Sequence, residues 1–390
     1  MKSFTHFWLL IISSTLCASC LCDDNPGRVL CIDDERLALL QFKQDLIDYT
    51  NRLSSWSRVN IDCCMWDGIV CDNFTGHVQE LHLRGPDPEL EDASTQMLRG
   101  NINRSLLLLK QLKYLDLSCN DFEATQIPSF IGSLQNLRYL NLSMSQFYGR
   151  VPHQLGNLSM LVVFDLGNGP WLGNVPVNSM HWLSSLRLLK YLDLTGYDLS
   201  MASDWLQVTG NLPSLVELHL PSSNLTQIPH ELPKLVSLDL TRCLFHGPVP
   251  GRVGGFQNMI DLKFVHVSEN DFMNSTSVLS GLLSVTSLVY IDISTCNLSV
   301  PILGSLQNMT SLLSMDMSQN FINETLPNSF GNLCNLSYVD LRSNYIRGDV
   351  SYLLNRSTSK SCHISYRIGV LQNHWNGWRF LSTSSMEACQ

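Results

Sequence analysis

Apolar residues recur along most of the chain in one short pattern, L-x-x-L-x-L-x-x-N/C. The ten copies begin at Leu112, Leu137, Leu161, Leu189, Leu215, Leu235, Leu262, Leu288, Leu312 and Leu336. Their fourth positions follow one another at intervals of 20 to 28 residues. Because each copy fits one short parallel strand with its leucines turned inward, the pattern predicts an α/β solenoid in which neighbouring repeats share a core.

The ninth position of the pattern is usually asparagine, whose side-chain amide satisfies backbone groups in the turn after the strand. Cys243 and Cys296 occupy this position, and we expect them to be buried thiols rather than disulfide partners. Other residues interrupt the asparagine column in the first half of the chain, where we expect local irregularity. They are Ser145, Gly169, Tyr197 and Ser223.

The segments between the strands also repeat a phrase, as in IPSFIGSLQNL from Ile127 and VPHQLGNLSML from Val151. Proline favours an extended entry to each segment. We expect the glycine to permit the turn after a short helical piece. The final apolar residue of the phrase then re-enters the next strand.

The amino terminus has the organisation of a secretory signal peptide over residues 1–22, with Lys2 followed by an apolar stretch from Phe7 to Leu16. A membrane anchor is the less favoured alternative, because a spanning helix needs about 20 apolar residues. We find no later stretch of spanning length, so we expect no transmembrane segment and a secreted, extracellular product. Residues 23–84 are assigned to an N-terminal cap, 85–350 to about ten or eleven repeats, and 351–390 to a divergent tail without repeats.

Charge and cysteine content narrow the class of protein. A formal net charge of -9 argues against nucleic acid as a partner. Four cysteines, Cys31, Cys63, Cys64 and Cys71, fall in one short segment, where two disulfides would staple the cap. A zinc site is less favoured, since adjacent cysteines suit tetrahedral ligation poorly. No nucleotide, metal or catalytic motif was found, so we expect no cofactor, no metal and no enzymatic activity.

The cap and the linking phrase resemble those of plant extracellular leucine-rich-repeat proteins. CIDDERLALLQFKQDL, RLSSW and DCCMWDGIVCDNFTGHVQELHLRG, between Cys31 and Gly85, resemble the plant leucine-rich-repeat N-terminal domain. YLDLSCNDFEATQIPSFIGSLQNLRYLNLS, from Tyr114, is similar to plant receptor-like proteins.

This resemblance implies a right-handed superhelix with parallel strands on the concave face. It also implies disulfides between Cys31 and Cys63 and between Cys64 and Cys71. The implied function is extracellular recognition of a protein or peptide ligand in defence or development, with signalling through a co-receptor kinase. The alternative is a soluble inhibitor of a cell-wall-degrading enzyme, similar to the polygalacturonase-inhibiting proteins.

Side chains at the third, fifth, seventh and eighth positions of each copy should face the concave surface. Tyrosine and aspartate recur there so regularly that we interpret them as scaffold. Residues that break the columns are the better candidates for ligand contact, because aromatic and arginine side chains often anchor interfaces. These candidates are Glu217, His219, Arg242, Phe264, His266, Glu269 and Arg342.

Eleven sequons predict N-linked glycans. They are Asn73, Asn103, Asn141, Asn157, Asn224, Asn274, Asn297, Asn308, Asn323, Asn335 and Asn355. Asn141 falls at a concave fifth position, where a glycan would block its strand. We therefore expect ligand contact to concentrate in the later repeats, between Leu215 and Arg342.

Overall fold

A computed structural model describes most of the chain between residues 29 and 347, together with residues 367–369. The described ranges are 29–123, 125–168, 175–225, 232, 234–245, 256, 258–272, 276–328, 330, 333–347 and 367–369. The predicted signal peptide, most of the predicted tail, and the sequons at Asn274 and Asn355 lie outside the described residues.

One long sheet of thirteen strands runs through the described part of the chain. The strands, including four in two small accessory sheets, are β1 (Leu46–Ile47), β2 (Ile69–Cys71), β3 (Val78–His82), β4 (Arg99–Gly100), β5 (Tyr114–Asp116), β6 (Tyr139–Asn141), β7 (Val163–Asp165), β8 (Val175–Pro176), β9 (Tyr191–Asp193), β10 (Tyr197–Asp198), β11 (Glu217–His219), β12 (Ser237–Asp239), β13 (Phe264–His266), β14 (Tyr290–Asp292), β15 (Ser314–Asp316), β16 (Tyr338–Asp340) and β17 (Arg367–Gly369). In the long sheet, β2 pairs antiparallel with β3, and every later strand pairs parallel with its neighbour. The accessory sheets pair β1 with β4 and β8 with β10.

The apolar pattern forms the core that the sequence predicted. The fourth position of every one of the ten copies is the central residue of a strand, as for Leu115 in β5 and Leu218 in β11, both fully buried. Strand partners keep one register from repeat to repeat, so that Leu218 pairs with Leu238 and Leu238 with Val265. The predicted solenoid is therefore confirmed.

Two parallel strands of the long sheet were not predicted from the sequence. Leu81 lies in β3, within the range assigned to the cap, and pairs with Leu115 of β5. Ile368 is the centre of β17, within the range assigned to the tail, and pairs with Val339 of β16. The domain boundaries at residues 84 and 350 remain proposals.

Short helices form the layer opposite the strands. The α-helices of the described residues are α1 (Asp33–Gln44), α2 (Ala93–Gln96), α3 (Trp205–Gly210) and α4 (Thr276–Leu283). The 3-10 helices are Cys63–Met65 in the cap and, between strands, Arg104–Leu108, Ser129–Ser133, His153–Asn157, His181–Ser185 and Leu303–Asn308.

The glycines of the linking phrase serve close packing rather than a turn. A methyl group on Gly132 would lie 2.1 Å from the carbonyl oxygen of Gln154 in the next repeat. A methyl group on Gly156 would likewise lie 2.3 Å from the carbonyl oxygen of Trp182. Both glycines lie inside their 3-10 helices, so the expectation that they permit the following turn was wrong. They let successive outer helices approach one another.

The ninth-position column continues through its substitutions. Asn120 donates from its amide to the carbonyl oxygens of Leu83 and Leu117. The Ser145 hydroxyl makes the corresponding bond to Leu117, at 2.7 Å, and the buried, unbridged thiol of Cys243 donates to Leu220. Serine and cysteine thus bond the preceding strand as asparagine does, which differs from the irregularity expected at Ser145.

The cap closes the first end of the core through two disulfides and two tryptophans. Disulfides join Cys31 to Cys63 and Cys64 to Cys71. The four sulfurs lie within 4.8 Å of one another, but sulfurs in disulfides are not the thiolates that zinc requires. The rings of Trp56 and Trp66 stack at 5.6 Å between centroids.

The first helix is tied to the long sheet by a buried carboxylate. Glu35 of α1 is only 3% exposed and accepts a hydrogen bond from the Val78 amide. The cap is thereby fixed to β3, the first parallel strand.

Candidate functional site

The third and fifth positions of each copy, which are the first and last residues of its strand, form the concave face of the sheet. In β13, Phe264 and His266 are partly exposed, whereas Val265 between them is fully buried. The same alternation holds in β11 for Glu217 and His219. The register predicted for these strands is therefore confirmed, and the Phe264 ring is not in the core.

Six of the seven candidate residues lie on three adjacent strands. Glu217 and His219 belong to β11, Arg242 follows β12, and Phe264 and His266 belong to β13, with Glu269 after it. The strands pair in register, so that Glu217 aligns with Ser237 and Ser237 with Phe264. We call these six candidate residues the three-strand patch.

An ion pair spans two repeats at the edge of the three-strand patch. Arg242 and Glu269 occupy the eighth positions of consecutive copies, and the Arg242 Nε donates to Glu269 Oε2. Both residues have a left-handed backbone, with φ of 57°. Because the side chains remain 51% and 40% exposed, the pair itself contributes little to stability. Both charges remain accessible to a ligand.

His219 lies among carboxylates in the middle of the three-strand patch. It aligns with Asp193 on β9 and with Asp239 on β12. Burial lowers the pKa of His219, but the carboxylates of Glu217, Asp193 and Asp239 raise it by a larger amount. The pKa of His219 is therefore above its ordinary value. Its Nε2 is buried and lies 3.9 Å from Glu217 Oε2, beyond hydrogen-bond distance, with no other partner among the described residues.

His266 differs from His219 although both occupy fifth positions. Its ring stacks on Tyr290 of β14 at 4.6 Å between centroids. Burial lowers the pKa of His266, and the opposing charges of Asp239 and Asp292 do not offset that effect. At mildly acidic pH, His219 therefore takes up a proton before His266 does.

Two carboxyl groups lie beside the three-strand patch on β7 and β9. Asp165 aligns with Asp193, and burial followed by the negative charge of Asp193 raises the pKa of Asp165 to about 8. Asp165 still accepts a hydrogen bond from the Gly167 amide at 2.9 Å. The pair thus carries less than two negative charges at neutral pH.

Arg342 lies apart from the other six candidates. It follows β16, three strands beyond β13, which corresponds to roughly 14 Å at the usual strand spacing of about 4.8 Å. Its guanidinium bonds Asp340 of the same repeat, with Nε 2.9 Å from both carboxylate oxygens. This contact sets the positive charge of Arg342 directly against the carboxylate of Asp340. The structure does not bring Arg342 into the three-strand patch.

The structure places the Asn141 side chain where a glycan does not fit. It is 6% exposed, its Oδ1 accepts bonds from the amide and hydroxyl of Ser143, and its Nδ2 donates to the Tyr139 hydroxyl at 3.3 Å. A glycan on Asn141 therefore gives no reason to exclude its strand from ligand contact.

The early strands carry an aromatic stack that includes two of the recurring tyrosines, which the sequence predicted to be scaffold. The ring of Tyr114 stacks on His82 at 4.2 Å and on Tyr139 at 4.0 Å. The recurrence of tyrosine at third positions of adjacent copies was the available signal for this surface.

The fold and its disulfide-bonded cap define a leucine-rich-repeat protein with a plant-type N-terminal domain. Known families match on both counts: a leucine rich repeat N-terminal domain over residues 32–72, and leucine rich repeats over residues 111–134, 136–158 and 311–333. The chain therefore contains a leucine-rich-repeat N-terminal domain followed by leucine-rich repeats.

Within that class, the chain is similar to plant receptor-like proteins, as the sequence indicated. It is 36% identical over 278 residues to receptor-like protein EIX1 of Solanum lycopersicum, a match that covers 70% of this chain and 25% of that protein. It is 44% identical over 155 residues to receptor-like protein EIX2 of the same species, covering 39% and 15%. The chain thus spans about a quarter or less of the length of these relatives.

A solved crystal structure shares the fold. The PEPR1-AtPEP1 crystal structure superposes with a TM-score of 0.55 at 22% identity, over 87% of this chain and 52% of that one. Among the described residues, we find no helix with the length and apolar character of a membrane span.

Proposed function

We propose that the chain recognises an extracellular protein or peptide ligand through the concave face of its repeats and signals with a membrane partner that supplies a kinase. The observation that supports this function most directly is the three-strand patch. It gathers an aromatic ring, two histidines and an exposed ion pair on adjacent strands, where neighbouring repeats carry the regular tyrosine and aspartate columns. Such a mixture of an aromatic anchor and charged groups is typical of protein interfaces.

The similarity to receptor-like proteins supports the same proposal and supports an extracellular location. The irregular residues lie on an open face of the sheet, which favours a binding role over catalysis. The later repeats remain our proposed contact region. The three-strand patch supports this region, whereas the buried side chain of Asn141 gives no support for it.

The test uses the full chain, secreted from plant cells with an epitope tag, to bind proteins and peptides from plant extracellular fluid. The species bound by the unaltered chain are then compared with those bound by a Glu217→Ala/Phe264→Ala variant and by an Arg187→Ala control. The control removes an exposed side chain between the 3-10 helix His181–Ser185 and β9. Loss of one bound species with the first variant alone is the expected result. Retention of every species by both variants would contradict the proposed patch.

A parallel assay measures pathogen polygalacturonase activity with and without the purified chain. Strong inhibition would overturn the receptor function in favour of a soluble inhibitor. If the proposal is correct, a receptor kinase should coprecipitate with the chain only when the ligand is bound.

A further inference from the structure

A groove of about 600 Å³ lies away from the concave face, beside the 3-10 helices His153–Asn157 and His181–Ser185. Its volume falls within the range of about 300 to 1,000 Å³ that is usual for small-molecule sites. None of its lining residues belongs to the three-strand patch. A ligand bound in this groove would therefore be distinct from a ligand bound at the three-strand patch.

The chemistry of the lining suits a sugar chain. Trp182 and Pro176 supply apolar surface, while Arg150, His153 and His181 supply exposed hydrogen-bond donors. No acidic residue is among the described lining residues, although the chain carries a net charge of -9. A pyranose ring packs its C–H face on an aromatic ring and pairs its hydroxyls with polar side chains, which is the combination found here.

A predicted glycan attachment site forms part of the wall. Asn157 begins the sequon Asn157-Leu158-Ser159, ends its 3-10 helix, is exposed, and lines the groove. The hydroxyl of Ser185 donates to the carbonyl oxygen of Gly156, at 2.5 Å, so the attachment point is held against the second helix.

The opposite wall is fixed by a carboxylate outside the lining. Asp204 accepts hydrogen bonds from the Ser179 hydroxyl, at 2.6 Å, and from the Met180 amide, at 3.0 Å. Trp182 packs edge to face against Phe164 of the core, with ring centroids 5.9 Å apart. A groove whose walls are held in this way loses little freedom when it is filled.

We propose that the N-linked glycan of Asn157 occupies this groove, with its first sugars against Trp182 and hydrogen-bonded by Arg150 and His181. Attachment at the rim makes the contact intramolecular, so weak interactions suffice to fill the groove. The glycan then covers the seam between two repeats. This inference depends on occupancy of the Asn157 sequon and is independent of ligand binding on the concave face.

The test compares two glycans on the same folded chain. The full chain is secreted with oligomannose glycans and digested without denaturation by endoglycosidase H, and release at each site is followed by glycopeptide mass spectrometry. Asn308 is the matched control, since it also ends its 3-10 helix and is exposed. We expect release at Asn157 to be about tenfold slower than at Asn308, a factor equivalent to about 1.4 kcal/mol of contact, and the two rates to become equal after denaturation.

Two variants test whether the groove causes the protection. Trp182→Leu removes the aromatic surface, and Arg150→Ala/His181→Ala removes two exposed donors that do not support the core. Each should raise the release rate at Asn157 toward that at Asn308. If Trp182→Leu fails to be secreted, the double variant decides. An unglycosylated Asn157, equal rates in the native chain, or full protection in the variants would each overturn the proposal.

Discussion

Asp165 on β7 and Asp193 on β9 lie directly opposite each other in the parallel sheet, and the pKa of Asp165 is raised to about 8 by burial and by the charge of Asp193. The folded state therefore holds a proton that the unfolded chain releases above the usual carboxyl pKa of about 3.9. As pH rises from about 4 to about 8, the unfolded state is favoured progressively. The native fold is thus less stable at pH 7 than at pH 5 through this group.

Asp165→Asn should remove this pH dependence and raise the free energy of unfolding at pH 7. The amide oxygen can still accept the bond from Gly167, so the turn is preserved. Thermal melting at pH 5 and pH 7 measures the effect, with exposed Asp261→Asn as the control. An equal change at both pH values would show that Asp165 is ionised in the folded chain.

Gly132→Ala should destabilise the fold, because the new methyl group would meet a backbone oxygen 2.1 Å away that cannot rotate aside. Overpacking of this kind costs about 1 to 3 kcal/mol. Gly304→Ala is the matched control, since no atom lies within 4 Å of its added carbon and it also lies within a 3-10 helix. We expect that variant to be neutral or stabilised by up to about 1 kcal/mol. Similar melting temperatures for the two variants would refute the packing explanation.

Cys64→Ser should lower secretion and stability, since loss of a native disulfide in a small secreted module typically costs about 2 to 5 kcal/mol. Cys296→Ser is the comparison, because Cys296 is unbridged and its thiol donates to the Val267 carbonyl, a bond that serine can retain. The secreted yield and the free energy of unfolding from chemical denaturation are measured for both variants. Unchanged yield for Cys64→Ser would argue against a stabilising bond to Cys71.

Asn141 should be recovered without a glycan from the secreted chain, whereas exposed Asn308 and Asn323 should carry one. The reason is that the Asn141 amide is buried and bonded on both of its polar atoms. Site-resolved glycopeptide mass spectrometry gives the occupancy of each site. Substantial occupancy at Asn141 would mean that its strand adopts a different arrangement in the mature protein.

The sequence predicts the strands well because the alternation of apolar and polar positions remains recognisable when other apolar residues replace leucine. It failed at β3, where Leu81 stands 34 residues before Leu115, and at β17, where Ser365 replaces the leading leucine while Ile368, Val370 and Asn373 keep the fourth, sixth and ninth positions. At both strands part of the pattern persists, but the spacing or the leading leucine differs from that of the other copies.

The candidate site was only partly predictable, for a different reason. Alternation places Phe264 and His219 on the concave face, and that much follows from the pattern. The ion pair of Arg242 with Glu269 depends on the distance between side chains of separate repeats. The burial of Asn141 depends on how tightly adjacent fifth positions pack. Neither quantity is visible in the order of residues.

Phe264→Ala should weaken ligand binding without unfolding the chain. The ring lies on the concave face between Ser237 and Tyr290 of the neighbouring strands and is partly exposed, so its removal opens no cavity in the core. We expect affinity to fall about tenfold or more, as for an aromatic interface anchor, and the free energy of unfolding to change by less than about 1 kcal/mol. Leu238→Ala is the control, because Leu238 is fully buried at the centre of β12, and it should cost about 2 to 5 kcal/mol of stability. Chemical unfolding and affinity for the bound species from extracellular fluid are measured on both variants. Undiminished affinity in a normally folded Phe264→Ala chain would remove the ring from the binding surface.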